Sequence, residues 1–555
     1  VGTISAAAEA GTSTGAERLL RVLAGHGVHT VFGLPGVHNL AVWEAAREHG
    51  PRLVGVRHEQ AAVYAADGYA RASGRLGVAV VTTGPGAANT LGATGEAMAS
   101  GSPVLVVATD IPSSLRRPGV YRGVLHETRD QRAMFLPVVK DAWQVPGAAD
   151  LAGLTDRAAR LALAAPRGPV YLGVPTDFLS AEVGTDPLPP VAAAEHDECS
   201  DADLDRAVAE LSSARRPLVW AGGGALRSGA GAEVAVLAER IGAPVVTTYG
   251  GRGLIPVDHP YAVHGPVHLP EVGRLWDEAD VVVAVGTDFD GMMTQNWAMP
   301  APQRLVSVNV DRADASKNYR PDVLLAGDAR RVLARLVAAL PEREIDSDLA
   351  ERLAALNAEV RKAVLAEEPQ AAQLLDVLDA VLPPDAVLVA DMCIPGYWLG
   401  GFHRVRRPRG FAYPVGWGTL GFSFPAALGA ALGGTGRAVS VCGDGGFLFA
   451  CGELATAAQE RLPVTVVLVD DGGYGMLRFD QANAGHPYFG VDLHTPDFVA
   501  LARAFGVDAA VVDGFGSEFA VRLTEFVAAD GPNVLVVRAA LTPPPTTSPR
   551  WYRRR

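Results

Sequence analysis

The sequence predicts an α/β chain of three domains, each a parallel sheet flanked by helices. Apolar runs of strand length alternate with alanine-rich amphipathic stretches throughout, the pattern of parallel strands buried under helices on both faces. At 555 residues the chain is too long for one hydrophobic core. Two breaks divide it. The stretch 184-GTDPLPPVAAAEHDE-198 is rich in proline and acid, lacks periodicity and reads as a linker. A charged run, 341-PEREIDSDLAERL-353, lies between two helical stretches. The expected domains are therefore 1–185, 198–345 and 365–545.

Bulk chemistry removes several function classes. With 48 basic against 61 acidic residues and a formal charge of -13, the chain lacks the positive field that gathers nucleic acid or anionic membrane. Only the tail, Arg550 to Arg555, is strongly basic. Cys199, Cys393, Cys442 and Cys451 show no CxxC pairing and no companion histidines, which disfavours zinc and a disulfide scaffold. No segment reaches 18 uninterrupted apolar residues, and the start of the chain has no basic region before an apolar core. A soluble protein of the reducing cytoplasm is the expectation.

Chemistry is concentrated where strands end in glycine, at 78-VAVVTTGPGAAN-89 and 439-VSVCGDGG-446, because ligands of open α/β sheets bind outside the carboxyl ends of strands. Strand 438-AVSVC-442 ends at Gly443-Asp444-Gly445-Gly446, Phe447 to Arg461 reads as a helix, and 463-PVTVVLV-469 is the next strand, followed by Asp470-Asp471. A crossover of that length places both strand ends on one edge. Asp444 and Asp471 beside bare glycine backbone make an oxygen-rich pocket for a hard divalent cation, which completes its shell with phosphate oxygens and water, while glycine amides cradle the phosphate. Aspartates after strands are also common turn formers. Glycines on both sides and a second acidic cluster at the next strand end favour the metal-diphosphate reading.

This run resembles the thiamin diphosphate motif of the thiamin diphosphate-dependent enzymes, of the acetolactate synthase-like type, near the 2-oxo acid decarboxylases and benzaldehyde lyase. The resemblance implies that Asp444, Asp471 and the Gly473 carbonyl hold Mg2+ against the cofactor diphosphate, with Gly445, Gly446 and Tyr474 beside it. Asp470-Asp471 departs from the usual Asn-Asn, and an extra carboxylate beside a diphosphate needs a cation to offset it. The segment 416-GWGTLGFSFPAALGA-430 is similar to the family stretch that bends the cofactor. Leu420 is then the wedge and the Gly418 carbonyl the partner of the 4′-amino group.

The stretch 57-RHEQAAVYAADGYARASGRLGVAVVTTGPGAAN-89 resembles the family's pyrimidine-binding domain. Glu59 opens an alanine-rich helix that stops at Gly74, a position where a carboxylate faces the positive helix end. The resemblance gives Glu59 the pyrimidine N1′, and Gly84, Gly86 and Asn89 the loop over the cofactor. On the substrate side, 32-FGLPGVHNL-40 resembles the opening loop of benzaldehyde lyase, in which a histidine at the position of His38 acts on substrate. A histidine near neutral pKa can pass protons to oxygen. His126 lies in 124-VLHETRDQRAMFLPVVK-140, whose LHExxDQRA pattern is nearer to decarboxylases of guanidino-bearing 2-oxo acids than to true acetolactate synthases.

Resemblance covers nearly the whole chain, with 217-PLVWAGGGALRSGA-230 and 281-VVVAVGTDFD-290 as strands of a Rossmann-like middle domain between pyrimidine-binding and diphosphate-binding domains. Asp288-Phe289-Asp290-Gly291 replaces the basic stretch expected near a flavin diphosphate, so FAD is disfavoured. Ile394-Pro395 replaces a common Gln-His pair. The implied activity is Mg2+-dependent decarboxylation of a 2-oxo acid, followed by protonation to an aldehyde or addition to a second carbonyl. The alternatives are a decarboxylase of a larger guanidino-type 2-oxo acid, an FAD-linked oxidase, and a non-catalytic binding or regulatory homologue. The resemblance also implies a homodimer or homotetramer with the site at the subunit interface.

Overall fold

The structure, a computed structural model, describes residues 12–117, 119–185, 199–434 and 436–545. Residues 186–198 of the expected linker and the basic tail lie outside the described residues. The chain divides into two compact units, Val1–Ala70 with Arg75–Ala194, and Arg71–Gly74 with Glu195–Arg555.

In the first unit six parallel strands lie in the spatial order Arg52–Gly55, Thr30–Gly33, Gly77–Val81, Val104–Asp110, Val170–Pro175, Asp141–Gln144. Gly77–Val81 and Val104–Asp110 are buried at every position, as parallel strands covered on both faces must be. Where such a strand needs close helix contact, glycine supplies it. A Cβ on Gly77 would stand 2.0 Å from the Ala66 carbonyl oxygen.

Two parallel sheets build the second unit. One has five strands, with Pro217–Ala221, Val281–Val285 and Leu305–Asn309 at its centre. The other has six, in the order Phe411–Ala412, Val387–Ala390, Ala438–Gly443, Val464–Asp470, Asn533–Arg538, Asp508–Asp513. Apolar side chains of both sheets belong to one continuous core. The charged run passes, as expected, from one helix, Ala329–Ala339, into another, Ser347–Glu367, which buries Leu349, Leu353, Val360 and Val364. Its polar residues are the solvated face of an amphipathic helix.

The helix expected over 447–461 differs. It starts at Asp444, breaks after Leu448, passes through a 3-10 turn at Cys451–Glu453 and resumes at Leu454–Glu460. The early start satisfies the preference of an acid for the positive helix end. The break falls at Ala450, whose φ of -135° is not helical, just before Gly452, a poor helix former. All four cysteines are free thiols, and among the described residues no helix is long and apolar enough to cross a membrane.

Candidate active site

Strands Ala438–Gly443 and Val464–Asp470 are parallel neighbours with Gly443 level with Val469, so Asp444, Asp470 and Asp471 leave the sheet at one edge. Asp444 is 1 % exposed. Its Oδ1 accepts from the Gly445 amide at 2.7 Å, and among the described residues its Oδ2 has no hydrogen-bond partner. Burial, reinforced by the charge of Asp471, pushes its carboxyl up to about 7. Burial also raises Asp471, with Arg478 opposing. Two buried carboxylates without a cation are costly to ionise together.

Glycine lets the chain pack tightly along this edge. A Cβ on Gly445 would lie 2.6 Å from Tyr474 Cε1, one on Gly446 3.2 Å from Asp391 Oδ2, and one on Gly473 2.3 Å from the Val491 carbonyl oxygen. The donor set is all oxygen, which suits Mg2+. Among the described residues no group of three or more His, Cys, Asp or Glu could hold a metal alone, so Asp444 and Asp471 would need carbonyl, phosphate or water oxygens beside them. The orphaned Asp444 oxygen and the glycine-lined edge fit a metal-bound diphosphate.

Asp391, 1 % exposed at the end of strand Val387–Ala390, went unmarked in the sequence. Its carboxylate accepts from the Met392 amide at 2.8 Å, from the Gly421 amide at 3.1 Å to each oxygen, and from the Ser423 amide and hydroxyl at 3.4 and 3.3 Å. Burial pushes its carboxyl up to about 6 despite these donors. This cluster pins the loop that carries Gly418 and Leu420. Gly418 and Gly421 have φ of +66° and +77°, where a side chain would be strained, and Leu420 is half-buried. Ile394-Pro395 opens the helix Ile394–Phe402, where proline loses no needed hydrogen bond.

In the first unit, Glu59 opens the helix Glu59–Ser73 as expected and is 8 % exposed. Asn89 Nδ2 donates to its Oε2 at 2.9 Å. A Cβ on Gly86 would stand 3.2 Å from Oε1, so glycine keeps that side of the carboxylate open. Gly84, φ +65°, packs so closely that a Cβ would meet the His126 carbonyl oxygen at 2.5 Å.

Gln131 was the second residue missed, although the DQRA pattern held it. Buried, it accepts from the Gly84 amide at 2.7 Å and donates to the Thr109 carbonyl at 2.9 Å and the Tyr171 hydroxyl at 2.7 Å. The glycine loop is thereby tied to two strands. His38 and His126 are neighbours, with ring centroids 5.3 Å apart. His126 has φ +68°, a sparsely populated conformation for a side-chain-bearing residue. Burial, and then the charge of His126, lower the His38 pKa.

Family models match three successive segments, the thiamine pyrophosphate enzyme N-terminal domain at 13–134, central domain at 204–336 and C-terminal domain at 393–537. A Pseudomonas aeruginosa protein described as a probable 2-ketoarginine decarboxylase is 38% identical over 500 residues, 89% of each chain. The chain belongs to the thiamine pyrophosphate enzyme family. Thiamin diphosphate is therefore the cofactor of its N- and C-terminal binding domains. The acetolactate synthase large subunit of Parasynechococcus marenigrum, another relative, is 34% identical over 526 residues, 90% of this chain and 84% of that one. In three dimensions the chain is similar to an X-ray structure from Mycobacterium smegmatis of a protein assigned to the thiamin diphosphate-dependent enzymes. The TM-score is 0.77 and the identity 23%, covering 95% of this chain and 99% of that one, which supports the three-sheet fold.

Asp391→Ala strands the buried Gly421 and Ser423 amides, and chemical denaturation should show a loss of about 3 kcal/mol, with weaker thiamin diphosphate binding because the loop around Leu420 loosens. Histidine NMR should find His38 titrating below pH 6.5. In His126→Ala both depressing influences diminish, one by removal of charge and the other by opening the site, so the His38 midpoint should move up in pH.

Proposed function

We propose that this enzyme decarboxylates a 2-oxo acid bearing a guanidinium group, with Mg2+ held by Asp444, Asp471 and the Gly473 carbonyl. The products are CO2 and an aldehyde one carbon shorter. The observation that carries the substrate class is the 38% identity over 89% of both chains to the Pseudomonas aeruginosa relative, together with the LHETRDQRA segment that holds His126 and Gln131. The relatives described as acetolactate synthases are 31% and 34% identical over similar spans. They favour a second reading, addition to a second carbonyl.

When bound, thiamin diphosphate supplies the electron sink for the pair left by departing CO2. The chain's own residues orient and move protons. Asn89 fixes one oxygen of Glu59, and the other, beside Gly86, would accept the pyrimidine N1′ proton's hydrogen bond when the cofactor is bound. His38, kept neutral by burial, accepts a proton from substrate oxygen or returns it through His126. Leu420 would wedge the cofactor and the Gly418 carbonyl would meet its 4′-amino group, both on the loop that Asp391 pins.

Flavin has no part in this reading. Gly222 and Gly224 amides already donate to the Val285 and Gly286 carbonyls, each at 2.8 Å, Asp288 pairs with Lys317 at 2.7 Å, and Asp290 caps the helix Gly291–Thr294. Glu59 and Asp444 lie in different units, and a homodimer or homotetramer is the assembly that pairs them in the family resemblance. Exposed Trp417, Phe449 and Phe489 support subunit pairing in the second unit, since large exposed apolar side chains favour association.

Assaying CO2 release from a panel of 2-oxo acids with thiamin diphosphate and Mg2+ tests the substrate class. The guanidino acid should give CO2 and aldehyde with pyruvate inert; acetolactate from pyruvate would support the second reading instead. Glu59→Gln should bind the cofactor but abolish hydrogen exchange at its C2 position, followed by NMR, and retained exchange would refute the role given to Glu59.

A further inference from the structure

The segment 470-DDGGYGMLR-478 places two adjacent carboxylates where a diphosphate would sit. We propose that Arg478 is the fixed counter-charge that makes Asp471 compatible with that anion, a positioning role resting on the metal-diphosphate reading of Asp444 and Asp471.

Its guanidinium is placed by four contacts. Nη1 donates to the Asp471 carbonyl at 2.7 Å and Nη2 to the Gly472 carbonyl at 2.5 Å, while Nε donates to Asp492 Oδ1 at 2.7 Å. Nη1 also stands 3.7 Å from Asp471 Oδ1. A planar fork with several donors in fixed directions can do this where an ammonium cannot. Asp471 is 17% exposed and Asp492 65%, so solvent screens the outer carboxylate far more than the inner one, and the positive charge is felt chiefly at the buried end.

The glycine spacing of the loop makes room for this arrangement. A Cβ on Gly473 would stand 2.6 Å from Arg478 Nη2, and a Cβ on Gly475 2.4 Å from Asp471 Oδ2. Arg478 also lies near the start of the helix Gly475–Asn483, the end at which a cation is electrostatically disfavoured. Its placement there is explained by the loop it faces. With Asp444, Asp470 and Asp471 on one edge, a cation bridging two of them still leaves a carboxylate beside an incoming polyanion. Arg478, 3.7 Å from Asp471 Oδ1, lowers the negative potential at that ligand and holds the Asp471 and Gly472 carbonyls on either side of it.

A double-mutant cycle separates charge compensation from loop support. Thiamin diphosphate is titrated calorimetrically, at saturating Mg2+, into the full chain stripped of cofactor and metal. Arg478→Gln should weaken binding about tenfold, in the range for residues that orient metal ligands. In the Asp471→Asn background the same change should cost about twofold. Equal losses in both backgrounds, or no loss in the first, overturn the proposal. Arg478→Lys keeps the charge and should bind more tightly than Arg478→Gln; equal weakness of the two overturns it as well. Binding by the parent chain that does not depend on Mg2+ sinks the underlying metal-diphosphate reading instead, a separate outcome visible before any variant is made.

Discussion

A carboxylate oxygen sealed from water without a proton donor is the constraint around which the second unit is arranged. Asp444 is held there by the register of two parallel strands, and its Oδ2 has no partner among the described residues. Such an atom stays neutral or waits for a cation. Asp471 adds a second charge from the neighbouring strand end. Two features beside the pair are tight backbone packing and a nearby cation. The glycines supply the first, letting backbone approach where any Cβ would collide, and Arg478 supplies the second.

The same division of labour recurs among the buried polar groups. Asp391 and Gln131 each tie a glycine loop to the end of a parallel strand. Asp391 fixes Gly421, next to Leu420, and Gln131 fixes Gly84, two residues from Gly86. Loops built of glycine have large conformational freedom to lose, so a buried side chain with several short hydrogen bonds is what holds them in one shape. Function in this fold rests on flexible backbone made rigid by a few polar anchors.

The middle sheet shows the opposite outcome. Its glycine run after Pro217–Ala221 has the look of a dinucleotide loop, and there the Gly222 and Gly224 amides donate to the Val285 and Gly286 carbonyls. Phe289 is buried against Trp220, with ring centroids 5.7 Å apart.

How much was legible beforehand depended on whether a property is local. Strand and helix periodicity, the acidic residue opening the helix at Glu59, and the placement of Asp444 and Asp471 at adjacent strand ends are set by nearest neighbours along the chain, and they were readable from the sequence. The break at Ala450 and the packing of the helix Ser347–Glu367 were not, because long-range contacts outweigh weak intrinsic propensities. Asp391 and Gln131 looked ordinary for the same reason. A buried aspartate acquires meaning only when amides 30 and 32 residues away converge on it, and Arg478 only when the helix that carries it turns back over the loop. Alternating apolar strands and glycine turns admit few topologies, so the strand ends that bring Asp444 and Asp471 to one edge could be read from the chain. Which oxygen is left unpaired, which carbonyls are clamped and which imidazoles meet were decided by tertiary structure, because hydrogen bonds and desolvation act across space and leave no period in the chain.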